Sequence, residues 1–464
     1  MLPANCSQPV DAAWIEKVSH IRWVDYSSPN PNPDGGYYQP TAESINQDLL
    51  TLKKASFTGL ITYGSAGIMG KQFLAIAQSL GYQGVIMGIW NPNAQDELNN
   101  AINAAGMPLV LGYSIGNEGL SGPRDRYTVT ELCSAMSGLR TSTGKPAATS
   151  EDIEAYYRQP ELLSIGDWLF PISHPYWHFT KYALDAIQWE QDQYAALRRR
   201  TDRYIFFKEV GLPTAGAYGL SEANQELYYR GLAQTEVPFA YFEGFDQPSK
   251  TQASVEPHWG IFHSDLEPKL IAWDLMGYRL FTPENTSSNP MQECSKANGA
   301  SCSIDATGTT FLVGKGLQGR QYSTSLSFNT SGLPDGAVIT SVKLKVRSAG
   351  VAGRDPLNNH QNLTVDICQP PFYKTGRPHT VKARAEANCN EDVGIFDKNP
   401  NSGWYTVDFL PAARQSINLS GSTQFRLKMS ELPNQDLSRA YIKFYSGEAA
   451  DPNSPILMVK YGLP

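Results

Sequence analysis

Short apolar runs rich in β-branched and aromatic residues alternate with amphipathic runs eight times in roughly the first 280 residues. The strand-like runs fall at 21–27, 60–65, 84–90, 108–116, 146–149, 169–173, 204–210 and 239–245. Helical periodicity follows each of them, at 43–56, 70–80, 95–105, 128–140, 160–165, 185–200, 221–236 and 267–279. Strands that alternate with helices lie parallel, because each helix must carry the chain back before the next strand begins. Eight such units in this length predict an α/β fold, a (β/α)8 TIM barrel. An open dinucleotide-binding sheet is disfavoured, since no Gly-x-Gly-x-x-Gly turn follows the first strand. Helix starts are signalled locally, as in Thr128-Val129-Thr130-Glu131, which reads as a capping box.

The pattern changes after Leu280. Val342-Lys343-Leu344-Lys345-Val346, Phe425-Arg426-Leu427-Lys428-Met429 and Ile442-Lys443-Phe444 alternate apolar and polar residues, with turn signals such as Pro334-Asp335-Gly336 between such runs. A period of two is that of a half-buried antiparallel sheet. The expected organisation is a barrel domain over 1–283, a linker over 284–302 and an all-β sandwich, jelly-roll-like, over 303–464.

The net charge of −7 disfavours a nucleic-acid or anionic-membrane partner, whose phosphates demand a basic surface. No window approaches the ~18 apolar residues of a membrane span. Aromatic residues make up 11% and charged residues only 18%. Flat apolar rings suit a sugar-binding protein, though the same rings serve a large core. The six cysteines are even in number, with Cys294 close to Cys302 and Cys368 close to Cys389, which leaves Cys6 for Cys133. That points to disulfides and an oxidising compartment. No Cys-x-x-Cys occurs, so no structural zinc is expected. Met1-Leu2-Pro3-Ala4-Asn5-Cys6 has neither the basic nor the apolar region of a leader. The chain is then either cytosolic or secreted with its leader removed, and the cysteines favour an extracellular, secreted protein.

In a barrel of this type the active site lies at the C-terminal ends of the strands. The fourth strand ends Ile115-Gly116-Asn117-Glu118, and the seventh ends Phe207-Lys208-Glu209-Val210-Gly211. Strands four and seven lie on roughly opposite arcs of an eight-strand ring, so the two carboxylates can meet across its mouth. One acid to protonate a leaving oxygen and one base or nucleophile are what glycoside hydrolysis needs. Asn117 beside the reacting carbon would hydrogen-bond a sugar hydroxyl, or else serve the turn. Trp90, Trp177 and Trp259 follow strands three, six and eight, where each would stack on a glucose ring or plug the rim.

These residues resemble glycoside hydrolase family 17, the β-1,3-glucanases and glucan transglycosylases, over about 22–269. The resemblance is carried by Ile115-Gly116-Asn117-Glu118, by Lys208-Glu209-Val210-Gly211-Leu212-Pro213-Thr214 and by Tyr241-Phe242-Glu243-Gly244-Phe245-Asp246. Tyr63, His174-Pro175-Tyr176-Trp177, Lys250 and Glu256-Pro257-His258-Trp259 also fit. It implies Glu118 as acid/base and Glu209 as nucleophile. It further implies Lys250 and Glu256 as charged cleft residues, and Tyr63, Tyr176 and Glu243 as sugar contacts. Leu212 and Gln247 depart from the family pattern, which has Trp and Glu at those places. The expected protein is a monomeric, retaining β-1,3-glucan hydrolase that needs no cofactor and no metal. A transglycosylase would use the same residues, and a non-catalytic glucan-binding or adhesion protein would keep the aromatic surface without turnover. The C-terminal region resembles the secreted β-sandwich modules of the DNRLRE type, with Tyr373 and Trp404 as candidate ligand aromatics.

Overall fold

The computed structural model describes residues 6–29, 40–120, 126–284, 291–294, 302–305, 308–317, 320–359, 361–369, 388–401, 403–430, 439–447, 449 and 453–463. The chain divides into two compact units, Met1–Met276 and Gly277–Pro464.

The first unit is the barrel that the alternation predicts. Its strands are β1 (Trp23–Asp25), β2 (Gly59–Ile61), β3 (Gly84–Ile89), β4 (Val110–Asn117), β5 (Ala147–Ser150), β6 (Ile172–Ser173), β7 (Phe207–Val210) and β8 (Phe239–Tyr241). All are parallel, in the order β5-β4-β3-β2-β1-β8-β7-β6. The ring is joined between β5 and β6 by a bridge from Asp152 to Ile172, with Ile172 N donating to Glu151 O at 2.9 Å. The capping box forms as read, with Thr128 and Glu131 each accepting from the other's backbone N–H. The helix Ala12–Ser19 was not read from the sequence. Its Trp14 donates to Leu111 O at 2.8 Å and packs on Trp168, covering the N-terminal end of the strands.

The strand period of two explains where the site sits. Trp23, Ile61, Ala148, Phe206 and Ala240 belong to one buried apolar cluster with Trp168 and Phe170. That cluster plugs the barrel, and losing a fully buried ring such as Trp168 would cost about 3–5 kcal/mol. Two residues further along, on the same face, stand Asp25, Tyr63, Ser150, Lys208 and Phe242. The interior therefore turns from apolar to polar at the C-terminal ends of the strands. Register shifts occur between Ser114 and Asn117 in the β4–β5 pair and between Phe207 and Val210 in the β7–β8 pair. Such irregularities re-aim side chains, and these bring adjacent residues of β7, Lys208 and Glu209, to one site.

The second unit is antiparallel and all-β, with twelve strands among the described residues joined in one curled sheet. Strand Val338–Gly353 pairs with Ile456–Gly462 and Trp404–Asp408, then shifts register between Ser348 and Gly350 and pairs with Ala440–Tyr445. One long strand thus serves both halves of the sheet. The alternating residues Val342, Leu344, Val346, Phe425, Leu427, Ile442 and Phe444 all face its core. Within the stretch expected as a linker, Met291–Cys294 pairs with Cys302–Asp305 and with Gln321–Asn329. Disulfides join Cys6 to Cys133 and Cys368 to Cys389. Cys294 faces Cys302 in the ladder, their side chains lying outside the described residues. Tyr373 also lies outside them, while Trp404 is half-buried beneath Lys345 and Arg347.

Candidate active site

The turn after β4 is built for close approach. Gly116 has φ +75°, and a Cβ there would stand 2.3 Å from the Tyr127 hydroxyl. Glu118 follows in the left-handed region at φ 50°, with its N–H donating to Ser150 O at 2.9 Å. The buried Glu151 carboxylate then accepts from Gly119 N and Leu120 N, both at 3.0 Å. This latch holds Glu118 outward, over the cleft.

A cavity of about 830 Å³ opens at this end of the barrel. Glu118 and Glu209 both line it, with Tyr63, Trp90, Asn117, His174, Trp177, Lys250, Glu256 and Trp259. Trp90 and Trp177 keep 45% and 43% of their surface open, whereas Trp259 is only 1% exposed. The Arg126 guanidinium lies 4.1 Å from the Trp90 ring centroid. Tyr176 and Glu243 do not line the cavity. Tyr176 packs on Trp177 and Trp259. Glu243 is fully buried behind Lys250, whose Nζ donates to it at 2.7 Å.

Glu209 and Glu118 are held in different environments. Burial pushes Glu209 up, but Lys208, His174 and Lys250 outweigh it and set the carboxyl below its ordinary range. Lys208, itself buried, donates to Glu209 Oε1 at 3.0 Å and to Asn117 Oδ1, with its Nζ 4.2 Å from the Tyr63 ring centroid. His174 Nε2 stands 3.5 Å from Glu209 Oε2, yet burial pushes the imidazole down to about 4, so it is neutral at pH 7. The two lysines therefore carry the charge that keeps Glu209 ionised. Glu118 moves the other way: its side chain opens onto the cleft, but the surrounding cavity walls desolvate it, and this and then the charge on Glu209 push it up to about 7.

The BtgE/BtgC glycoside hydrolase domain matches residues 24–260, just over half of the chain. The chain belongs to the BtgE/BtgC glycoside hydrolase family. A glucan 1,3-beta-glucosidase from Arthroderma benhamiae is 26% identical over 262 residues, covering 49% of this chain and 83% of that protein. One from Candida albicans is 26% identical over 227 residues, covering 41% and 73%. Among solved structures, a glycoside hydrolase family 17 beta-1,3-glucanosyltransferase from Rhizomucor miehei is similar at TM-score 0.46 and 24% identity, covering 54% of this chain and 97% of that one.

Several residues of this glycoside hydrolase were missed by sequence reading. Asp25 is fully buried, and neither carboxyl oxygen has a hydrogen-bond partner among the described residues. Burial, then the charges of Glu209 and Glu243, hold its carboxyl well above the ordinary range and favour its protonated form. The buried Glu97 accepts from Ser65 N at 2.8 Å and Trp90 N at 2.9 Å, tying two cleft loops together. Gln247, which the sequence marked only as a departure from the resembled pattern and gave no role, donates to Ser27 O at 3.1 Å and so anchors the loop after β1. Their sequence signal was a charged or amide side chain near a strand or helix end, which many surface residues share. Among the described residues no helix is long and apolar enough to cross a membrane.

Proposed function

We propose that this glycoside hydrolase is a retaining β-1,3-glucan hydrolase in which Glu209 is the nucleophile and Glu118 the acid/base. The observation that carries the reading is the opposite displacement of two carboxyls on one cavity. Near neutral pH one is ionised beside a buried lysine and the other still holds a proton. Environments that push paired carboxyls apart assign the two roles.

Glu209 attacks the anomeric carbon as the bond to the leaving oxygen breaks, and the Glu118 proton goes to that oxygen. The product is a glycosyl ester on Glu209. Glu118, now a carboxylate, takes a proton from water as its oxygen attacks the same carbon, and the ester bond breaks to regenerate Glu209. Retention requires the carboxyls to stand about 5–5.5 Å apart. Lys208 stabilises the ionised nucleophile and fixes the Asn117 amide, leaving the Asn117 NH2 to meet a sugar hydroxyl. The buried Tyr63 hydroxyl faces the Glu209 carboxylate and lines the same cavity, where it can meet the same sugar. Trp90 and Trp177 offer ring faces for stacking, and Lys250, Glu256 and Trp259 complete the wall. Tyr176 and Glu243 act behind it, through Trp177 and Lys250. The choice of β-1,3-glucan is supported by the name that both curated relatives share.

The same proposal takes 1–283 as the catalytic domain, 284–302 as a linker and 303–464 as a DNRLRE-type carbohydrate-binding module of a secreted, monomeric protein. The supporting features are its all-β build and the two disulfides.

The test is product analysis on laminarin, wild type against Glu209→Gln, with the anomer of the first product read by NMR. Short oligosaccharides of retained configuration from the wild type alone support the reading. An inverted first product overturns the assigned roles. Products longer than the donor identify a sugar hydroxyl, not water, as the acceptor. Absence of turnover on laminarin and on other β-glucans overturns the hydrolase reading in favour of a binding protein.

A further inference from the structure

Tyr218 is 87% exposed and Tyr182 49% exposed, on the loops that follow β7 and β6. Both loops therefore lie on the catalytic face of the barrel. The two rings are organised together. Lys181 Nζ stands 5.5 Å from the Tyr182 centroid and 5.4 Å from the Tyr218 centroid, and donates to Tyr218 O at 2.8 Å. Gly219, at φ +86°, lets the second loop pass so close that a Cβ there would sit 3.1 Å from the Tyr182 ring.

The patch is continuous with the cleft through its backbone. The loop that holds Lys181 and Tyr182 is the one that sends Trp177 into the cavity. The Tyr218 loop is tied to the loop after β8 by Thr214 N donating to His258 O at 2.9 Å and Ser254 Oγ donating to Gly216 O at 2.7 Å. That third loop carries Lys250 and Glu256 to the cavity. An exposed aromatic patch held in place beside a cleft marks a ligand surface.

We propose that Tyr182 and Tyr218 form a distal platform for the glucan chain as it leaves the catalytic cleft. The inference rests on the glucan reading given above. A pyranose presents a flat C–H face and a rim of hydroxyls. The tyrosine rings match the face, and the Lys181 ammonium between them supplies donors for the rim. A neutral polymer needs no complementary charge, in keeping with a patch holding a single lysine between two rings.

The experiment compares wild type, Tyr182→Ala/Tyr218→Ala and the control Leu184→Ala, an exposed position 69% open on the adjoining helix. The readout is the ratio of kcat/KM on long-chain laminarin to kcat/KM on laminaritriose. The double variant is expected to lower that ratio about tenfold, through KM on the long chain with kcat retained. The control should leave it unchanged. An unchanged ratio in the double variant overturns the platform. Affinity electrophoresis in laminarin gels separates this from failure of the hydrolase reading, because it needs no turnover. Retardation of the wild type that the double variant loses supports the platform even in a chain without activity. Equal retardation of the two, or none of the wild type, overturns it.

Discussion

Replacing Lys208 with Met tests the electrostatic core of the site. The ammonium is 1% exposed and stands 3.0 Å from a Glu209 carboxylate that is 4% exposed. At that distance and an effective dielectric of about 20, the attraction is about 5.5 kcal/mol. Even a quarter of it, about 1.4 kcal/mol, changes the ionised fraction tenfold. Methionine keeps most of the stem volume but removes the closest cation, leaving burial, which pushes Glu209 up, opposed by His174 and the more distant Lys250. In the wild type the depressed Glu209 contributes stability that is present above its unfolded pKa of about 4.3 and lost as pH falls through the folded value. In Lys208→Met the folded value rises above the unfolded one. Ionisation then costs stability, and the cost grows as pH rises from the unfolded pKa of about 4.3 towards the raised folded value. Melting temperature measured from about pH 3 to 8 should therefore diverge between the two proteins as pH rises. Lys208 also lowers Glu118, so both limbs of the kcat/KM profile should move to higher pH, the acid limb by about one unit or more. Parallel melting curves with unmoved limbs would refute the reasoning.

In the wild type the basic limb should fall near pH 7, where Glu118 loses its proton. Glu118→Gln should reduce kcat by about 10²–10⁴-fold and melt higher than the wild type at pH 8. A raised carboxyl penalises folding above its unfolded pKa, and the amide removes that penalty; a lower melting temperature at pH 8 would contradict the shift. Asp25→Asn fixes the neutral form that burial already favours. Its stability at pH 7–9 should equal or exceed that of the wild type, with kcat/KM within about threefold, and a clear loss of stability would mean that Asp25 is ionised and paired. Cys6→Ser/Cys133→Ser opens a link between residues 127 positions apart. Urea unfolding should show a loss of about 3–5 kcal/mol, and unchanged stability would show that the link does not constrain the unfolded chain.

Local pattern was enough to predict the barrel, because strand and helix periodicity are written into consecutive residues. Eight apolar runs with helical runs between them leave few other ways to bury both faces of a parallel sheet. The same locality made Glu118 and Glu209 visible as carboxylates where β4 and β7 end, and made the core face of Val342, Leu344 and Val346 legible. The helix Ala12–Ser19 escaped notice because it precedes the first strand and so stands outside the repeat. What each side chain meets across the barrel was decided only by tertiary structure. Lys208 reaches Asn117 across 91 positions, Glu97 reaches Ser65 across 32, and Asp25 is isolated among charged residues from β7 and the loop after β8. The protonation states of Glu118, His174 and Asp25 follow from burial and neighbouring charge together, and both exist only once the strands have closed into a ring.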